Sequence, residues 1–142
     1  MEAKLNTLLA DLVVEYHKLQ NFHWYIKGKD FFTVHAKLEE YYNYINEAID
    51  EVAENILMIG SNPVASLSGY LKLAKIEEAD EKHLTSNEIY AMVLKDFDYL
   101  LTSVKDIKVE ADQNNSFIIS ALMDSYIENF TKTIWMLKQV VE

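Results

Sequence analysis

Residues that break helices are scarce in this sequence, and their scarcity limits the possible folds more than any other feature. The chain has 142 residues, and its breakers are Gly28, Gly60, Gly69 and Pro63. Three of these four fall where the apolar periodicity lapses, so the segments between them can form long helices. We therefore expect an all-α protein, of a size that suits one domain over residues 1–142.

The apolar pattern predicts that the chain begins with two long helices. The first runs from near Glu2 to about Lys27, with Gly28 placed as its C-cap. The second follows at once, with Asp30 as its N-cap, and stops at Gly60. Because the connection is so short, these two helices are expected to be antiparallel neighbours.

A long crossover separates this pair from two further helices. The segment 60–83 is too long for a bare loop, and the apolar residues within 67–73 predict a short helix inside it. A capping box formed by Thr85 and Glu88 opens the third long helix, and the fourth starts near Asn115. This order of elements predicts a ferritin-like four-helix bundle with a short extra helix between helices two and three.

Composition excludes several kinds of partner and site. The chain has 13 basic and 23 acidic residues, and the resulting net charge of −10 repels nucleic-acid phosphates and attracts cations. It has no cysteine, so any metal must be held by histidine and carboxylate side chains. No apolar run is long enough to span a membrane, and the segment after Met1 lacks a secretory-signal pattern, so we expect a cytoplasmic protein.

The second helix carries two pairs of residues of the type that binds metals. His35 and Glu39 are four residues apart, as are Asp50 and Glu54, so each pair shares one face of the helix. At about 100° per residue, all four fall in one sector beside the apolar stripe. The alternative interpretation is an ordinary solvated face. His23, on the apolar stripe of the first helix, is by itself more typical of a core histidine than of a ligand.

One copy of the helix cannot close a site with both pairs. Glu39 and Asp50 are 11 residues apart, which is about 16 Å along the axis, whereas the ligands of one metal lie within a few ångströms of it. Two copies packed antiparallel about a twofold axis would bring the His35 end of one helix against the Asp50 region of the other. A sulfur-free set of imidazoles and carboxylates suits iron, manganese or zinc.

Several segments around these residues form a pattern. They are Asn21-Phe22-His23-Trp24, Lys27-Gly28, Phe31-Phe32-Thr33-Val34-His35 and Asp50-Glu51-Val52-Ala53-Glu54. Together they resemble the signature of a known family, the Dps family of mini-ferritins. The match includes the twelve-residue step between the two histidines, and a further likeness lies at Ile134-Trp135-Met136-Leu137. The similarity extends over almost the whole chain.

The resemblance implies an activity and an assembly. Members of the family form hollow dodecamers that oxidise Fe(II) between twofold-related subunits, preferentially with hydrogen peroxide, and store ferric mineral in the cavity. Carried over residue by residue, it implies that His23, His35 and Glu39 come from one subunit and that Asp50 and Glu54 come from its partner. We therefore expect a ferroxidase whose substrate is iron, with zinc or manganese as possible substitutes, and with no catalytic residue beyond the metal ligands.

The sequence departs from the family pattern at several places. Glu39 stands where many members have Asp, and Asn55 replaces a commonly basic residue. The region that often lines an ion pore has only Asp112 and, later, Asp124 as acidic residues, so the route of iron entry stays open. Trp24 is expected to be a buried structural residue, and the alternative is a residue beside the metals that passes an electron to a bound oxidant.

Two other functions compete with iron oxidation. Some family members condense DNA through lysine-rich extensions, but this sequence begins Met1-Glu2-Ala3-Lys4 and ends Val140-Val141-Glu142, so we expect no DNA partner. The other alternative is a metal-free helical assembly in which the polar sector of the second helix is only an interface. The sequence leaves open the physiological oxidant, the mineral capacity and the metal selectivity.

Overall fold

The structure, a computed structural model, describes residues 1–142 and is built from four long helices and one short one. In chain order these are α1 (Glu2–Tyr25), α2 (Phe31–Met58), α3 (Leu67–Leu73), α4 (Ser86–Gln113) and α5 (Phe117–Val140). The one bridge of β type, between Ile26 and Leu84, is isolated, so the fold is all-α. The predicted four-helix bundle with an extra helix in the crossover is confirmed.

The ends of the helices follow the local sequence, with small shifts from the prediction. The capping box is present as expected: Thr85 accepts from the backbone N–H of Glu88, whose carboxylate accepts in return from Thr85. Helix α1 ends at Tyr25, before the predicted Lys27, because the backbone of Ile26 is already extended. Asp30 is at the N-cap position of α2, but its side chain makes no capping hydrogen bond.

Two antiparallel pairs make up the bundle: α1 packs along α2, and α4 packs along α5. Aromatic side chains join the pairs in the core, where Phe130 of α5 contacts Phe97 of α4 and Tyr44 of α2. Tyr126, also on α5, is fully buried and donates a hydrogen bond to Glu51 on α2. The apolar stripes of all four long helices therefore face a common interior.

The crossover runs along α1 and is fastened to it by polar side chains. Asn6 bonds the backbone of Asn62 and Val64 near its start. Asp11 accepts from the N–H groups of Lys75 and Ile76 farther along. Helix α1 is consequently covered by its helical neighbours and by the crossover. None of the helices combines the length and the apolar character needed to cross a bilayer.

Candidate metal centre

Two histidines face each other at the end where α1 and α2 are joined. His23 is in the last turn of α1 and is 5% exposed, and His35 is in the first turns of α2. Because the connection between the helices is short, these two turns lie side by side. The imidazole rings are stacked, with centroids 3.6 Å apart and planes 11° from parallel.

Each histidine also bonds the backbone of the other. Nδ1 of His23 lies 2.6 Å from the carbonyl oxygen of His35, and Nδ1 of His35 lies 2.7 Å from the carbonyl oxygen of His23. A carbonyl oxygen can only accept, so both Nδ1 atoms must carry the proton. In a neutral imidazole the lone pair is then on Nε2, which is the form that binds metals. We call this reciprocal arrangement the histidine clasp.

Glu39 completes the group on this side of α2. It is one turn beyond His35, and its Oε1 lies 3.8 Å from Nε2 of His23. The hydroxyl of Tyr42 donates to the same Glu39 oxygen at 3.3 Å, and the Tyr42 ring packs edge-on against His23. The structure therefore stacks His23 on His35 and places the Glu39 carboxylate beside His23, so three of the five predicted ligands lie on this side of the subunit.

The other two predicted ligands lie elsewhere on α2. Asp50 and Glu54 are both exposed, and hydrogen bonding with Asp50, together with its negative charge, raises the pKa of Glu54. Nowhere in the single chain do three His, Asp or Glu side chains converge closely enough to hold a metal ion. Because α2 is one continuous helix from Phe31 to Met58, Glu39 and Asp50 are separated by about 16 Å along its axis.

Large apolar residues are neighbours of the clasp in the sequence, and one of them contacts it. Phe31 stacks on His35, with ring centroids 4.7 Å apart. Trp24 is 65% exposed and Phe32 is 85% exposed in the isolated subunit. The prediction of a buried Trp24 is therefore wrong for the single chain, because at the end of α1 this residue points away from the core that covers its neighbour His23. His17 and His83 are exposed and take no part in the group.

Sequence reasoning missed a buried polar cluster between α1 and α4. Asp11 and Glu15 of α1 are fully buried, and Asp96 of α4 is 8% exposed. Lys18 pairs with Asp96 at 2.9 Å, and Tyr99 donates to Asp11 at 2.9 Å. The four-residue step from Asp11 to Glu15 could have shown that both lie on one face of α1. The sequence does not show that this face is buried, because it is buried by the crossover that covers it.

Burial and a neighbouring carboxylate favour the protonated form of the Glu15 carboxyl in this cluster. Both of its oxygens are buried without a donor partner, because a neighbouring carboxylate such as Asp96 cannot donate. Burial, and after it the charge of Asp96, raises the pKa of Glu15 well above its ordinary value. A proton on Glu15 turns the repulsive pair into a donor and an acceptor, while Lys18 balances the charge left on Asp96.

The two acidic residues noted for a possible pore are both engaged within the subunit. Lys108 of α4 lies 3.0 Å from a carboxylate oxygen of Asp124 and 3.7 Å from one of Asp112. Ser120 accepts from Lys108 and donates to Asp112. Lys108 thus offsets part of the negative charge that Asp112 and Asp124 would present to an entering cation.

Comparisons with known proteins agree with this architecture. The family model described as a ferritin-like domain matches residues 2–142. The chain is 38% identical, over 134 residues, to DNA protection during starvation protein 2 of Bacillus anthracis, covering 94% of this chain and 91% of that protein.

Solved structures give the same result. The crystal structure of CAIP from Helicobacter cinaedi is 34% identical, with a TM-score of 0.97 and full coverage of both chains. A DPS protein of Vibrio cholerae O1, described as belonging to a broad superfamily of ferritin-like diiron-carboxylate proteins, is 38% identical with a TM-score of 0.94. The alignment covers 97% of this chain and 86% of that one.

Proposed function

This chain belongs to the Dps family of ferritin-like proteins, and from that membership we propose that it oxidises Fe(II) and stores the ferric product inside a hollow homododecamer. The observation that carries the proposal is the histidine clasp. It holds two imidazoles with their Nε2 lone pairs unused, beside the Glu39 carboxylate. Such a rigid but incomplete ligand set is what a site shared between two subunits requires.

The ligands are divided between two copies in this proposal. One subunit supplies His23, His35 and Glu39, and the partner supplies Asp50 and Glu54. Neutral imidazole nitrogens and carboxylate oxygens, without sulfur, bind Fe(II) and leave room for zinc or manganese in its place. The negative charge of the partner's pair balances the charge of the entering cation.

The proposed reaction requires these residues to bind and orient the iron ions, while the electrons pass from iron to the oxidant. Hydrogen peroxide accepts one electron from each of two Fe(II) ions, its O–O bond breaks, and hydrolysis of Fe(III) then releases protons and forms ferric oxide-hydroxide. The clasp fixes both imidazoles in one tautomer and orientation, so little reorganisation accompanies the change in iron charge. Oxygen is the alternative oxidant.

Protection of DNA, which the names of several relatives state, would then follow from removing iron and peroxide. The net charge of −10 opposes contact with a phosphate backbone. We expect no shift of plasmid DNA by this protein in a gel at neutral pH and low salt. A shift that disappears at higher salt would instead support direct binding.

The test is anaerobic loading with Fe(II), followed by one addition of peroxide. Wild-type protein should give rapid ferric absorbance and tight, stoichiometric Fe(II) binding. His23→Ala/His35→Ala should lose both. His17→Ala/His83→Ala is the matched control, since it removes two histidines outside the clasp and should keep both.

His23 is buried, so its substitution could abolish iron binding by unfolding the protein. A second variant therefore tests the site without changing a buried residue. Asp50→Asn/Glu54→Gln alters exposed side chains only, and should also abolish tight Fe(II) binding while native mass and helical content stay unchanged. Wild-type rates in both double variants would overturn the proposed site.

A further inference from the structure

Glu39 is the only proposed ligand on its side of the site that the histidine clasp does not fix. Hydrogen bonds to backbone carbonyls orient both imidazoles, whereas the side chain of Glu39 is 54% exposed. A glutamate in that setting samples several rotamers, and freezing one of them when a metal binds costs conformational entropy. A ligand set as rigid as the two imidazoles therefore requires a further group that orients this carboxylate.

The hydroxyl of Tyr42 is the only side-chain group in the subunit that donates a hydrogen bond to Glu39. Tyr42 follows Glu39 by three residues on α2, so both lie on the same face of the helix. The oxygen that accepts the bond, Oε1, is also the atom that lies 3.8 Å from Nε2 of His23. The hydrogen bond thus holds the carboxylate next to the imidazole nitrogen that carries the unused lone pair.

Two aromatic rings of α1 hold the ring of Tyr42 in place. His23 lies edge-on to it with centroids 5.3 Å apart, and Tyr16 lies edge-on to it with centroids 5.7 Å apart. Both are favoured arrangements for aromatic pairs. The Tyr42 ring also packs against the hydrophobic core. Because the ring is fixed between α1 and α2, its hydroxyl can restrain the more flexible side chain of Glu39.

We propose that Tyr42 is a positioning residue for metal binding, which holds the carboxylate of Glu39 beside His23 before the metal arrives. The inference rests on the proposed function for the metal, and adds a residue that acts through Glu39. A carboxylate oxygen has two lone pairs, so Oε1 can accept from Tyr42 and still bind a metal. Groups that orient a metal ligand in this way typically change metal affinity by about 10- to 100-fold, and the exposure of Glu39 puts our expectation at about tenfold.

The length of the Glu39 side chain and the position of Tyr42 are matched. The distance between the hydroxyl and Oε1, 3.3 Å, is already at the long end for a hydrogen bond between two oxygens. Glu39→Asp would draw the carboxylate toward the helix backbone by about one bond length, roughly 1.5 Å, and so out of reach of Tyr42. This substitution therefore keeps a carboxylate ligand but removes its contact with the tyrosine.

A double-mutant cycle tests the proposal. Co(II) is the probe, because it binds imidazole and carboxylate ligands and its visible absorption reports their number and geometry. Wild-type protein, Tyr42→Phe, Glu39→Asp and the double variant would each be titrated as assembled proteins. Tyr42→Phe should weaken Co(II) binding by about tenfold and shift the absorption band in the wild-type background. In the Glu39→Asp background it should weaken binding by less than about twofold, because the contact is already lost.

Two controls distinguish positioning from a structural role. Tyr44→Phe removes a hydroxyl from the same helix, but the ring of Tyr44 packs against Phe130, so this variant should keep the wild-type affinity. Tyr42→Phe keeps the ring that contacts His23 and Tyr16. Thermal unfolding of the metal-free protein should therefore be the same for Tyr42→Phe and the wild type.

The outcomes separate this inference from the proposed function. Wild-type affinity in Tyr42→Phe, or equal weakening in both backgrounds, would overturn the positioning role and leave the proposed metal site in place. If wild-type protein bound no Co(II) tightly, or if His23→Ala/His35→Ala bound it as tightly as the wild type, then the proposed site itself would fail and this inference with it.

Discussion

Two inactive variants should restore each other when they are assembled together. His23→Ala/His35→Ala lacks one half of the proposed site, and Asp50→Asn/Glu54→Gln lacks the other half. In a dimer that contains one subunit of each kind, one of the two sites receives both defective halves. The other site receives both intact halves and is complete.

The expected size of the effect follows from this division. Random pairing of equal amounts gives about half mixed dimers, each with one working site of two, so about a quarter of wild-type sites should return. The variants would be unfolded, mixed and refolded, and then loaded with Fe(II) under anaerobic conditions. Both the initial rate of ferric absorbance after peroxide and the number of tightly bound Fe(II) ions should reach about a quarter of the wild-type values.

Each variant refolded alone controls for damage during refolding, and a mixture that was never unfolded controls for exchange of subunits. A mass tag on one variant shows whether mixed assemblies have formed. If mixed assemblies form and bind no more iron than the separate variants, then the two halves do not meet between subunits. That result would refute the reasoning from the spacing of the two ligand pairs along α2.

Three further predictions concern the bundle itself. Burial and Asp96 raise the pKa of Glu15, so the folded state binds a proton that the unfolded state releases. The free energy of unfolding should therefore fall as pH rises above the ordinary glutamate pKa, by up to about 1.4 kcal/mol per pH unit. Glu15→Gln should flatten this slope in denaturant titrations from about pH 5 to about pH 7, and an unchanged slope would contradict the buried proton. Asp11→Ala leaves three donors without their acceptor and should lower the free energy of unfolding by about 3 kcal/mol or more. Asp11→Asn keeps an acceptor and should lower it less. Equal losses in the two variants would show that these hydrogen bonds contribute little to stability. Phe130→Ala should lower the free energy of unfolding by about 3–5 kcal/mol because it opens a cavity beneath Phe97, and thermal unfolding compared with the exposed Phe117→Ala measures it.

Much of the fold could be read from the sequence because its signals are local. Few breakers and a 3.6-residue apolar period predict long helices, and the capping box at Thr85 marks a start that the structure confirms. The short helix α3 occupies residues that the apolar pattern had selected. Boundaries shifted by about two residues where the backbone became extended, as at Ile26, since propensity does not determine where the last turn opens.

The candidate site could be predicted only in part from the sequence. Spacing placed His35 and Glu39 on one face, but it could not show the clasp, because its acceptors are backbone carbonyls rather than side chains. The buried pair Asp11 and Glu15 was missed for a related reason. A helix covered on two sides loses the contrast between its apolar and polar faces, and only the path of the crossover shows which polar residues become interior.

The histidine clasp also bears on the order of events as the protein is made. Its two residues are 12 positions apart in the chain, so bringing them together closes a short loop at small entropic cost and can occur as soon as the first helical hairpin has formed. Under the proposed division of the site, the half formed by His23, His35 and Glu39 is thus ready before the chain meets another copy, whereas the partner's Asp50 and Glu54 arrive only with that encounter. In the proposed dodecamer a newly made subunit would therefore stay inert toward iron until it joins the shell that can contain the product, and assembly would set the timing of the chemistry instead of a separate regulator.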